Sequence, residues 1–302
     1  MIKITPTKTL RGVTISGDYH DFDELIDAIY AISDTEYNQV MENDATSSLL
    51  LSIAYDVRHA NMGMRETTMV ENGSSGWNLD ENNKKILKSL SKENLYYSVN
   101  TPYITCFFVA LSIDTLNRNY LNKCKKLLED GYPSLNKDIN TCKTNEERAL
   151  LWEAQFVHNM KESYASVNLD NDEHFSLDLK MINARKSIQV LNNFSQCVWN
   201  SLSGILPNNE INSLYDEYEL IVQKGYPYYQ NFISQYIEFL ELDYITLRTK
   251  KERLIKLPQT ISDIINLGES YKEFCKHITA SARKQNCRVE DLHYDYPEDI
   301  KW

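Results

Sequence analysis

Glycine and proline are scarce, at 9 and 7 of 302 residues. So few turn-forming residues argue against a turn-rich all-β fold and leave room for long helices. The six cysteines, at 106, 124, 142, 197, 275 and 287, lie far apart and form no CxxC pair. A disulfide framework or a zinc ribbon is therefore not indicated, and the usage fits a reduced interior, with Cys106 and Cys197 as small apolar residues. Long apolar runs are also missing. The most apolar stretch, residues 103–113, is too short to cross a bilayer and meets Asp114. The opening MIKITPTKTLRG has no apolar signal core. These absences predict a cytoplasmic protein with no membrane segment.

An excess of positive charge is lacking too. The formal net charge is −11, with residues 1–102 carrying fifteen acids and nine bases and the remainder twenty-eight and twenty-three. Affinity for duplex nucleic acid comes largely from phosphate neutralisation, so that class of partner is disfavoured. A basic or neutral protein partner fits better. The glycine loops that cradle phosphates, GxxxxGK[ST] and GxGxxG, do not occur, nor do GxSxG or HExxH. Arginine is not followed four to six residues later by histidine in the helical part, and paired ExxH motifs are absent. Asp56–His59 and Glu273–His277 are helical acid–histidine pairs, but each supplies only two ligands, so no metal is assigned. Asp170-Asn-Asp172 begins like a calcium loop and lacks the rest of that pattern. No cofactor is indicated.

What the chain does contain is periodicity. Residues 2–5 and 13–16 alternate as short strands joined through Pro6 and Gly12. Residues 21–33 form an amphipathic helix with Phe22, Leu25, Ile26 and Ile29 on one side and Asp21, Asp23 and Glu24 in the first turn. Further strands are expected over residues 67–70 and 95–100, and a charged surface helix or an irregular one over residues 77–91. From Pro102 the period becomes helical. Helices are expected over residues 103–129, 146–167, 176–206, 210–223, 228–256 and 261–284, the last two separated by Pro258. The basic run RTKKERLIK, residues 248–256, then falls late in a helix, where cations suit the carbonyl end. Gly-Tyr-Pro at 131 and 225 reads as two helix stops. The fold class is mainly α, in the α+β sense: a small module over residues 1–101, an antiparallel helical bundle over 102–285 and an acidic, aromatic tail over 286–302.

The stretch SSLLLSIAYDVRHANMGMRETTMVEN, residues 47–72, holds the densest polar cluster. Leu49, Leu50, Ile53, Val57 and Ala60 share one helical face, and Gly63 is placed to stop the helix. Asp56, Arg58 and His59 lie in its last turns, with Arg65 and Glu66 just beyond. His59 shares a face with Asp56, three residues back, and with Tyr55, four back. One reading is a braced helix end, with Arg58 or Arg65 paired to Asp56 or Glu66. The other is a site in which His59 transfers protons, helped by Asp56 or Glu66, while Arg58 and Arg65 hold a phosphate-bearing or nucleotide ligand.

Three passages carry a likeness to known proteins: GVTISGDYHDFDELIDAIYAI (12–32), LLSIAYDVRHANMGMRE (50–66) and NLYYSVNTPYITCFFVALSIDTL (94–116). Over roughly the first 120 residues the chain resembles a family of bacterial proteins with a domain of unknown function. The resemblance implies a bacterial, cytosolic setting and brings no catalytic residues. The spread negative charge, the many tyrosines, 20 in all, and the missing catalytic motifs favour a non-enzymatic protein that binds another protein, of immunity, antitoxin, adaptor or phage-defence type.

Overall fold

A computed structural model describes residues 2–33, 45–72, 92–129, 175–223, 232–292, 294, 296–297 and 300–302. The expected helices over 77–91 and 146–167, both Gly-Tyr-Pro stops and Asp170–Asp172 lie outside them. The described chain is mainly helical, with one small antiparallel sheet. The strands are β1 (Lys3–Pro6), β2 (Gly12–Gly17), β3 (Glu66–Glu71) and β4 (Glu93–Pro102), in the order β1-β2-β4-β3. The expected hairpin is present, with Ile4 opposite Ile15. Helix α1 is Tyr19–Ser33 and α2 is Ala45–Asn61. The later helices are α3 (Tyr103–Glu129), α4 (Phe175–Asn200), α5 (Asn208–Val222), α6 (Ile233–Ile245), α7 (Lys250–Asn266) and α8 (Glu269–Gln285). Short 3-10 turns follow at Ser201–Gly204 and Val289–Asp291.

The alternation in β2 explains the sheet. Val13 and Ile15 are buried, while Thr14 and Ser16 are partly open. Side chains of successive strand residues leave opposite faces, so the apolar set turns inward together. That face meets Phe22 of α1, whose ring lies 6.4 Å from Tyr97 of β4, and α2 packs on α1, β4 and α6. Helix α1 opens on a reciprocal pair: the Asp21 amide donates to Asp18 Oδ1 (3.0 Å) and the Asp18 amide to Asp21 Oδ2 (3.1 Å). The acids at this helix start thus satisfy free amides, as capping requires.

By its contacts the chain forms two compact units, residues 1–115 with 190–302, and residues 116–189. In the second, the described residues are helical and belong to α3 and α4. The first unit is organised around the start of α3. Tyr103, Ile104, Cys106, Phe107, Phe108, Ala110, Leu111 and Ile113 are all buried, so the helix is covered all round at this end. The Phe107 ring meets Trp199 of α4 edge-on at 4.9 Å, and the Tyr103 hydroxyl lies 2.7 Å from that of Ser201.

Three helix boundaries differ from expectation. One falls within residues 261–284, where Leu267 takes the left-handed conformation (φ +44°) and Gly268 follows, so that α7 ends at Asn266 and α8 starts at Glu269. Residues 228–256 do not form one helix; α6 ends at Ile245 and α7 starts at Lys250. Thr249 makes the start, its Oγ1 accepting from the Glu252 amide while Glu252 Oε2 accepts from the Thr249 amide. Nor does Pro258 separate helices. It sits inside α7, which continues to Asn266 because Leu257, Ile261, Ile264 and Ile265 are all buried. Their burial outweighs the one backbone bond proline forgoes. The basic run 248–256 accordingly lies at the start of α7, not at a carbonyl end. Its Arg253 is buried and structural, with Nε donating to the Thr9 carbonyl (2.7 Å) and a second nitrogen to Leu247 O.

Candidate functional site

Helix α2 ends as its glycine requires. Gly63 takes φ +76°, its amide bonds Ala60 O (2.8 Å), and the Met64 amide bonds His59 O (3.0 Å). A left-handed residue at this place turns the chain out of the helix and satisfies the last carbonyls. Three residues after Gly63 β3 begins, so the polar cluster sits between a helix end and the start of a strand.

This arrangement divides the five candidates. Asp56, Arg65 and Glu66 line a cleft of about 500 Å³ together with Ser98, Asn100, Pro102 and Trp302. Arg58 and His59 are not among its lining residues. The Arg58 guanidinium carbon lies 5.8 Å from the Tyr55 ring centre, and the His59 ring lies 4.1 Å from the same ring. Spacings of three and four along a helix bring these side chains over one tyrosine. His59 Nε2 is buried and has no hydrogen-bond partner among the described residues.

Within the cleft, Arg65 approaches Asp56 at 3.8 Å, with Arg65 45% and Asp56 32% exposed. A pair so open and so long contributes at most about 1 kcal/mol. Burial pushes the Asp56 carboxyl above the usual carboxylate range, against the opposing pull of Arg65 and His59. Ser98 donates to the Glu66 carbonyl (3.4 Å), and Asn100 Oδ1 accepts from Thr14 (2.7 Å). Two carboxylates thus face one guanidinium and an indole. The site has more acceptors than cationic donors.

Trp302 enters this wall through contacts that no local pattern announces. The Lys301 carbonyl accepts from Thr9 Oγ1 (3.0 Å) and from Arg11 (2.9 Å), and Arg11 Nε reaches the Ile245 carbonyl (2.9 Å). These bonds hold the residues beside Trp302 on the turn between β1 and β2. A second polar centre lies elsewhere in the same unit. Buried Glu241 of α6 accepts from the amide and the hydroxyl of Thr105 in the first turn of α3, and from Tyr296 (3.0 Å). The local signal for it is an acid inside the apolar run ISQYIEFLELDYI. Among the described residues no group of three or more histidine, cysteine or acidic side chains is placed to hold a metal, and no helix is long and apolar enough to cross a membrane.

No curated protein and no solved structure matches the chain. A model of the domain of unknown function DUF6904 matches residues 2–302 and so takes in the sheet, the cleft and the helices alike. The chain belongs to the DUF6904 family.

Proposed function

We propose that this is a protein-binding protein that captures an extended segment of its partner along the edge of β3. The observation that carries the reading is the exposure of that strand. β3 closes the sheet on one side, pairing only with β4 among the described residues, and five of its six residues are exposed. Its sequence, ETTMVE, has neither lysine nor proline, the residues that commonly protect an edge. An edge of this kind offers a row of backbone donors and acceptors to an added strand. Cross-strand neighbours Met69 and Leu95 are 52% and 41% exposed, and Met62 and Met64 stand open in the turn that precedes β3. Flexible thioethers adapt to apolar partner side chains. The net charge of −11 favours a basic or neutral partner. We place the protein in the bacterial cytoplasm, on the resemblance of its N-terminal passages and on its scattered cysteines. A phosphate-ligand enzyme draws less support, because Arg58 and His59 stand outside the cleft.

The test is capture from extracts of the native host, with hydrogen exchange on the complex. The partner is expected to slow exchange of the β3 amides. Thr67→Lys with Met69→Lys is expected to abolish capture while changing stability by no more than about 0.5 kcal/mol, as usual for exposed positions. A partner that leaves β3 exchange unchanged, or no captured partner, would refute the reading.

A further inference from the structure

The cleft does not lie at random relative to that edge. Glu66, the first residue of β3, is one of its lining residues. β3 starts opposite Ser98, whereas β4 runs on through Pro102, so β4 continues past the beginning of its neighbour. Ser98, Val99, Asn100 and Pro102, the part of β4 at and beyond that point, line the cleft. A segment added along β3 therefore reaches the cleft at its Glu66 end.

We infer that this cleft receives a lysine or arginine side chain of the captured segment, placed between Asp56, Glu66 and the Trp302 indole. The inference rests on the strand-edge reading. Its grounds are charge and shape. Two carboxylates share the cleft with one guanidinium, so a second cation improves the balance and an anion worsens it. Arg65 is only loosely held by Asp56, at 3.8 Å, and both are partly open to solvent. The indole supplies a face for a cation. It packs close to the sheet, since a methyl group added at Gly12 would come within 2.6 Å of Trp302 Cζ3. Burial already disfavours a bare charge on Asp56, and an entering cation relieves that cost.

The experiment selects random peptides of about ten residues, a long strand's length, on the full chain and measures the affinity of the consensus peptide by fluorescence polarisation. Selected peptides are expected to share an extended, β-prone run with one lysine or arginine at a fixed position. Replacing that residue by norleucine is expected to weaken binding about tenfold. Glu66→Gln, alone and with Asp56→Asn, is expected to weaken the basic peptide by a similar factor of about ten and to leave the norleucine peptide within about twofold. The single change at exposed Glu66 keeps the test valid if the double variant folds poorly. Peptides that need β3, being lost with Thr67→Lys/Met69→Lys, but show no basic preference would overturn this inference and leave the strand edge standing. Peptides indifferent to the β3 variant, or none selected, would overturn both.

Discussion

Replacing Glu241 by alanine is expected to destabilise the protein by about 3–5 kcal/mol at pH 6, read as a fall in the denaturant midpoint. The side chain is buried and accepts three bonds, from the amide and hydroxyl of Thr105 and from Tyr296. The Thr105 amide belongs to the first turn of α3, whose donors have no partner within the helix. Alanine leaves these donors without their partner and opens a cavity beside the most completely buried helix turns of the unit. Glutamine keeps an acceptor oxygen and nearly the same volume, so it is expected to recover most of the loss.

The same residue gives a pH dependence. Burial dominates over its hydrogen bonds and raises the Glu241 carboxyl from the ordinary 4.5 to about 7. Between those values the folded protein holds a proton that the unfolded chain has released. Stability therefore declines as pH rises through this window and levels off above it. The total is about 3 kcal/mol, since each pH unit of that window is worth about 1.4 kcal/mol. Other groups titrate as well, so the informative quantity is wild type minus Glu241→Gln, measured at half-unit steps from pH 4.5 to 8. That difference should move against the wild type as pH rises. A flat difference would show that Glu241 keeps the same protonation state in the folded and unfolded protein across this range.

The second large effect is expected at Gly12. A Cβ there would lie 2.3 Å from the Thr101 carbonyl oxygen and 2.6 Å from Trp302 Cζ3. The ring can swing away, but the carbonyl belongs to β4 and is fixed by the pairing of Gly12 with Pro102 and Val13 with Thr101. Gly12 is held further by Thr7, whose amide donates to the Gly12 carbonyl (2.9 Å) and whose hydroxyl accepts from the Gly12 amide (3.2 Å). Gly12→Ala is therefore expected to cost about 3 kcal/mol, the upper range for forcing atoms into a packed site. It should also displace Trp302 and weaken basic peptides at the cleft. A variant within about 1 kcal/mol of wild type would mean that the strand pair yields more easily than this geometry allows.

Much of the architecture was legible because its causes are local. Val13 and Ile15 alternate with Thr14 and Ser16, and a pleated strand sorts them to two faces whatever surrounds it. The bounds of α3 follow from Pro102 and an unbroken helical period, and Gly63 stops α2 by its own conformational freedom. Even the contact between the His59 and Tyr55 rings follows from a spacing of four. Pro258 misled because a local penalty was set against a burial that only the packed neighbours of α7 reveal.

The sequence by itself determined the class of the protein, most of its elements and the polar cluster at residues 56–66, since periodicity, caps and charge act over a few residues. Only the tertiary structure decided which of those polar residues meet. It turned Asp56, Arg65 and Glu66 into a cleft with Trp302 and left Arg58 and His59 on Tyr55. It also set Glu241 on Thr105, 136 residues away. Contacts of that range depend on how whole helices and strands bury their apolar faces, and no short pattern encodes which polar side chains are carried together when they do.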